Sequence, residues 1–300
     1  MRNAFRDAVA QAAAADERVV LLSGDIGNRM FDGFKADFPD RFYNCGIAEQ
    51  NMVGMAAGLA MSGLRPVCYT IANFLTYRVI EQIRVDCCYH GQPVVLAGVG
   101  GGLSYASLGA THHTCEDLAM LRSLPGMHVL TPGDAVEVRA LTAAALRRDD
   151  GPTYLRLGKK GEPVVHKTPP AIGPGRWSVV LGDVAAADHV LLACGNVLPV
   201  ALESNAGCVV SCGSVKPLDE ALLAEVFGSA LRVTTFEEHG RDGGFGSAVL
   251  EWLHDHRPND VGKLRRVGTP DAFLHEAGDQ THARRVFGLT AEQVAADAAS

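Results

Sequence analysis

Along the chain, short continuous apolar runs alternate with longer stretches whose apolar positions recur every three to four residues. The short runs predict strands at 19–24, 66–71, 93–99, 127–131 and 153–157. The longer ones predict helices at 3–15, 46–62, 75–90, 115–124 and 134–148. These strands are apolar throughout rather than alternating, the pattern of a parallel sheet covered by helices on both faces. Residues 161–175, GEPVVHKTPPAIGPG, hold four Pro and three Gly, and that density predicts a linker. The alternation then resumes, with strands at 189–194, 207–211, 231–236 and 263–267 and helices at 197–204, 218–228, 243–255 and 283–297. The expected fold class is α/β, in two domains (1–160 and 176–300), each a mostly parallel sheet covered by helices. Ligands of such sheets bind beyond the carboxyl ends of the strands, so the loops there are where chemistry is sought.

Composition narrows the function classes. Three hundred residues, 47% of them hydrophobic, suffice for two packed domains and are too apolar for disorder. A net charge of −7 speaks against a general nucleic-acid binder. No run of apolar residues is long enough to cross a membrane, and the first residues lack an apolar signal core, which predicts a cytoplasmic protein. Eight cysteines without a C-x-x-C pair read as reduced, buried thiols, with no metal site on this chain. Only 6% of residues are aromatic, so an aromatic in a loop stands out.

Three segments carry candidate chemistry. The helix after Cys45 is apolar and small on nearly every face, with Gly54 and Gly58, and belongs in a core or an interface. Glu49 in its first turn either complements the helix dipole or, desolvated, has a raised pKa and shares a proton at neutral pH. Phe74 and Tyr77, three apart, share a helix face and serve either as core or as a platform for a flat ligand. The glycine run at 98–102 predicts a flexible loop or a close backbone approach to a ligand, and does not fit a dinucleotide fingerprint. His112 and His113 end that loop. One reads as a solvated loop residue and the other as a catalytic or phosphate-binding candidate.

Taken in order, the motifs are specific. They are Ser23-Gly-Asp25, Phe42-Tyr-Asn-Cys-Gly-Ile-Ala-Glu-Gln50, Phe74 with Tyr77, Gly109-Ala-Thr-His112, Gly151-Pro-Thr-Tyr-Leu-Arg-Leu-Gly158, Lys216-Pro-Leu-Asp219, and Glu237-Glu-His-Gly followed by Gly243-Gly-Phe-Gly-Ser247. Over almost its whole length the chain resembles the C-terminal half of transketolase and of the related 1-deoxyxylulose-5-phosphate synthases, a pyrimidine-binding domain followed by the transketolase C-terminal domain.

The resemblance implies thiamine diphosphate as cofactor. Glu49 would hydrogen-bond a nitrogen of its aminopyrimidine ring, Phe74 would stack on that ring, and Ile71 and Tyr77 would line the pocket. Asp25 matches an aspartate near the cofactor, and His112 a histidine that contacts the reacting oxygens of the substrate. Family members hold the diphosphate and Mg²⁺ through a Gly-Asp-Gly segment. This chain lacks one, since Gly24-Asp25, Gly133-Asp134 and Gly182-Asp183 are not followed by glycine. A partner subunit carrying that motif would supply both groups, in an α₂β₂ heterotetramer. Leu108 stands where ordinary transketolases carry an aspartate that reads a donor-sugar hydroxyl. Gly100 stands for a phosphate-contacting histidine, and Lys159 for a phosphate-contacting arginine. Lys159, Lys160 and Arg156 remain candidates for holding an anion. For Glu237, Glu238 and His239 the resemblance implies packing between subunits, and no site is assigned there.

The implied activity is transfer of a two-carbon ketol unit from a ketose or ketose phosphate to an aldehyde, by the small subunit of a split transketolase. The alternative is a β-like subunit of a 2-oxo acid dehydrogenase or acyl-transferring enzyme that delivers to a lipoyl or carrier arm. Glu49, Phe74 and His112 together speak against a purely structural module.

Overall fold

A computed structural model describes residues 1–27, 29–159 and 161–299. Twelve strands are named here: β1 (Val19–Ser23), β2 (Phe42–Asn44), β3 (Arg65–Ile71), β4 (Val95–Val99), β5 (His128–Leu130), β6 (Thr153–Leu157), β7 (Ser178–Leu181), β8 (His189–Cys194), β9 (Cys208–Ser211), β10 (Ser214–Lys216), β11 (Arg232–Gly240) and β12 (Leu264–Thr269). They form two sheets, one ordered β10-β5-β6-β4-β3-β1-β2 and the other β12-β11-β8-β9-β7. All pairings are parallel except β10 with β5 and β7 with β9. Strands β1, β4 and β8 are buried along their whole length, as their unbroken apolar runs predict.

Both sheets reverse their winding beside a central strand. In the first, β2 lies on one side of β1 and β3 on the other, so a crevice opens beyond the carboxyl ends of β1 and β3. In the second, the same reversal falls between β8 and β11.

The two sheets are interlocked. Strand β10 follows β9 in the chain, yet it pairs antiparallel with β5 at the edge of the first sheet. Lys216 at its end donates to the carbonyls of Arg122 (2.9 Å) and Leu124 (2.5 Å), closing the end of the helix Asp117–Arg122. Asp219 caps the helix Glu220–Ser229 through Leu222 N and also accepts from Trp177 N at 2.8 Å. The Lys216–Asp219 motif is therefore a fastening between layers. Apolar burial runs across it, with Leu118, Leu121 and Val129 in one core with Trp177, Val215 and Phe245.

Two long helices expected from periodicity are broken. The stretch expected at 75–90 is a short helix Ala72–Thr76, a 3₁₀ turn Tyr77–Val79, a short helix Ile80–Gln82 and a π-helical segment Ile83–Tyr89. Thr76 donates its hydroxyl to Ala72 O at 2.8 Å, and such back-bonding bends a helix. The stretch expected at 283–297 is Gln280–Val286 and Ala291–Ala299, parted at Gly288 with φ 70°.

Residues 161–175 contain neither a helix nor a named strand, and they are strapped down through His166. Asp134, which caps the helix Ala135–Arg147, also accepts from Val165 N (2.9 Å), His166 N (2.8 Å) and His166 Nδ1 (3.1 Å). The His166 ring is buried, and its Nε2 faces Glu137 Oε1 at 3.6 Å. The Asp134 hydrogen bond, reinforced by Glu137, raises the His166 pKa above its ordinary 6.5. A raised histidine pKa contributes stability that is fully present below pH 6.5 and fades as pH climbs through the folded-state value. Thus His166→Gln is expected to cost stability at pH 6 and clearly less at pH 9. Urea midpoints of both proteins at the two pH values check this, and an equal cost at both would refute the charged strap.

Candidate functional site

The loops beyond β1, β2 and β3 converge on the first crevice. After β2 the chain enters the helix Glu49–Met61, whose first residue is Glu49, only 2% exposed. Its Oε1 accepts from Thr70 Oγ1 at 3.5 Å, and its Oε2 pairs with Arg78 Nη1 at 3.2 Å. Gly24, just after β1, allows this arrangement. A Cβ there would stand 2.9 Å from Thr70 Oγ1 and 3.6 Å from Glu49 Oε1.

Beyond β3, Phe74 is half-buried, and its ring meets the His112 ring at 5.3 Å between centroids and 64° between planes. The Arg78 guanidinium lies over Phe74, 4.4 Å from the ring centroid. Asn73 donates to His113 O at 2.9 Å and so ties the histidine loop to the helix that carries Phe74. His113 is buried with Nε2 on Ala106 O, which makes it a strut. His112 is half-buried and accessible. Burial, with a contribution from His113, lowers its pKa below 6.5, so it is a neutral imidazole at neutral pH.

The remaining expected residues are distributed around this recess or away from it. Asp25 follows β1 in a left-handed conformation, φ 56°, and accepts from Asn44 Nδ2 at 3.0 Å. A non-glycine residue there is uncommon and clusters at functional sites. Ile71, half-buried, ends β3. Leu108 is 54% exposed at the end of a 3₁₀ turn in the histidine loop. The Tyr77 hydroxyl is bonded to the Glu116 carboxylate, and its ring faces a cavity of about 320 Å³ shared with His113, Arg241 and Phe273. Lys159 lines a separate cavity of about 450 Å³ with Gln280, Arg284 and Glu203. Lys160 lies outside the described residues.

Arg156 is not an anion site. It is 4% exposed, and its Nε donates to Asp117 Oδ2 at 2.8 Å while Nη2 donates to Thr114 O (2.7 Å) and Glu238 O (3.1 Å). The glycine run also serves packing. A Cβ at Gly98 would meet Tyr154 Oη at 2.8 Å, one at Gly100 would overlap the Tyr105 ring, and one at Gly102 would meet Glu238 Oε1 at 2.6 Å.

At the crevice of the second sheet, protein groups converge on one carboxylate. Glu238, near the end of β11, is fully buried there and accepts from Leu103 N (2.6 Å), Asn196 Nδ2 (3.3 Å), Gln280 Nε2 (3.0 Å) and Arg284 Nε (2.5 Å). The first domain's glycine loop is thereby docked into the second.

Thr70, Asn73 and Arg78 were not expected at the site. None of the three left a signal: Arg78 stands four residues after Phe74, but the helix between them is broken at Thr76.

The fold and this recess define a class: a two-domain α/β protein whose first domain offers a buried carboxylate beside an aromatic face at a sheet's switch point. Residues 1–162 match the family model "Transketolase, pyrimidine binding domain", and residues 182–294 match "Transketolase, C-terminal domain". The chain belongs to the transketolase family. It is 36% identical over 306 residues to the 1-deoxy-D-xylulose-5-phosphate synthase of Halalkalibacterium halodurans, with 97% of this chain and 47% of that protein covered. It thus spans about half the length of that relative. It is 33% identical over 283 residues to one subunit of the apulose-4-phosphate transketolase of Phocaeicola vulgatus, with 90% and 87% covered. Among solved structures, a split gene transketolase described as an inactive β₄ tetramer superposes with a TM-score of 0.87 at 34% identity, covering 99% of this chain and 96% of that one.

Proposed function

We propose that this chain is the small subunit of a heteromeric thiamine-diphosphate-dependent transketolase, transferring a two-carbon ketol unit from a ketose or ketose phosphate to an aldehyde. The observation that carries the reading is the meeting of Glu49, Phe74 and His112 in one recess at the switch point. The residues fit an aminopyrimidine: a carboxylate oxygen to accept from it, a ring face to stack on, and a backbone opened by Gly24. When bound, thiamine diphosphate supplies the carbon nucleophile that attacks a ketone.

The chain's own residues have separate tasks. Glu49 holds the ring by hydrogen bonding and is placed to exchange a proton with it. Phe74 sets the plane of the ring, with Ile71, Tyr77 and Asp25 around it. His112, neutral, is proposed to donate to a substrate oxygen, with Leu108 beside the rest of the substrate, while Lys159, on the separate cavity, is left for a more distant anionic group. Among the described residues no group of three His, Cys, Asp or Glu could hold a metal ion. A partner chain carrying the Gly-Asp-Gly segment that this sequence lacks is proposed to bring Mg²⁺ and the diphosphate site, in an α₂β₂ assembly. The likeness, over most of its length, to a single subunit of a transketolase supports that division of labour. No helix of the described residues is long and apolar enough to cross a membrane, and the free cysteines suit a cytoplasmic location.

The test is reconstitution with that partner, thiamine diphosphate and Mg²⁺, assayed against ketoses, ketose phosphates and 2-oxo acids. Ketol transfer is the expected outcome. Turnover of 2-oxo acids alone would favour a β-like subunit of a 2-oxo acid dehydrogenase. Leu108→Asp restores a hydrogen-bonding group and is expected to raise kcat/KM for ketose phosphate donors by about tenfold. Unchanged donor preference would remove Leu108 from the substrate.

A further inference from the structure

Arg78 makes for itself the two contacts the cofactor ring is proposed to make. Its Nη1 donates to Glu49 Oε2 at 3.2 Å, and its guanidinium lies on the Phe74 face at 4.4 Å. A guanidinium is flat, delocalised and rich in donors, and it stacks on aromatic rings. An aminopyrimidine shares the flat shape and the donor edge. A ring lying on that face of Phe74 and bonded to Glu49 needs the space Arg78 fills.

The position of Arg78 fits a group that comes and goes. Its side chain is 47% exposed, in contrast to the 2% of its carboxylate partner. It stands on the 3₁₀ turn Tyr77–Val79, at the break made by Thr76, rather than inside a continuous helix. Its guanidinium has Glu49 as its one hydrogen-bond partner among the described residues. Glu49, in turn, would be a buried carboxylate held only by a 3.5 Å contact to Thr70 if Arg78 left an empty pocket. Such a carboxylate is costly, so something must partner it when the ring is absent.

We propose that Arg78 is a placeholder, which occupies the recess on Phe74 and Glu49 in the empty subunit and swings to solvent when the aminopyrimidine enters. This rests on the proposed function in taking the ring to be that of thiamine diphosphate. Its consequence runs against the usual result of deleting a residue that contacts a binding site. Removing Arg78 strengthens cofactor binding, because the ring no longer displaces an ion pair and a cation–π contact.

The experiment is calorimetric titration of thiamine diphosphate, with Mg²⁺, into the complex of this chain with its partner, comparing wild type, Arg78→Met and Arg78→Lys. Thermal melting of each variant reports on folding, and Arg78→Lys keeps the charge if Arg78→Met folds poorly. The expected result is about fivefold tighter binding for Arg78→Met, with Arg78→Lys between it and wild type. A parallel arm follows thiamine, which carries the ring without the diphosphate, binding to this chain alone by saturation-transfer NMR, with the same order expected. Equal or weaker binding by Arg78→Met, with wild type binding normally, overturns the placeholder. Failure of wild type to bind thiamine diphosphate overturns the cofactor assignment itself.

Discussion

Glu49→Ala in the reconstituted enzyme is expected to lower kcat by about 10²–10⁴, the range set by loss of a group that positions a proton. Steady-state turnover with saturating cofactor measures it. Stability should change little, because the partner left behind, Arg78, is 47% exposed and returns to water. Glu49→Gln should lose nearly as much activity, since the amide keeps the shape and an accepting oxygen but cannot exchange a proton. Wild-type turnover in either variant would end the assignment of Glu49, and equal losses of activity and stability would make its role structural.

The second large effect concerns Arg156 and Asp117, whose side chains are 3% and 0% exposed. Asp117 Oδ2 accepts from Tyr154 Oη at 2.7 Å as well as from Arg156. Removing the guanidinium leaves a buried carboxylate with the phenol alone, and strips donors from Thr114 O and Glu238 O. Breaking such a pair costs about 3–5 kcal/mol. Arg156→Met should therefore shift the urea midpoint strongly downward. Arg156→Met with Asp117→Leu should recover part of the loss, because no unpaired charge then remains. If Arg156→Met instead folded normally and only raised KM for a phosphorylated substrate, the buried pair would be the wrong account of Arg156.

Arg156 also shows where sequence reading stops. As one of several basic residues at the end of a strand it looks like an anion binder. Its partner stands thirty-nine positions away, and pairing at that distance leaves no periodic trace. The elements themselves were legible wherever one long apolar run or one clear period decided them, as in β4, β8 and the helix Ala135–Arg147. The short strands β2, β7 and β10 were not. Strands β2 and β10 have three residues each, and β10 is defined by a partner in the other sheet. The break at Thr76 escaped because a threonine hydroxyl turning back on Ala72 O looks, in sequence, like any helical threonine. At the candidate site, Glu49, Phe74 and His112 were readable from their neighbours in sequence. What surrounds them, Arg78 above all, depends on a bend that periodicity does not register. The glycines at 98–102 signalled close approach correctly in kind, but what approaches is Tyr154, Tyr105 and Glu238.

The strand β10 bears on how such a chain can be inherited. Its pairing with β5 means that a cut in the Pro-rich stretch at 161–175 would strip the first sheet of its outermost ladder and leave β5 bare, an edge prone to pairing with strangers. It would also take Lys216 from the carbonyls of Arg122 and Leu124. The two halves are consequently poor candidates for exchange as separate cassettes. A cut that spares this architecture falls before the first helix or after the last.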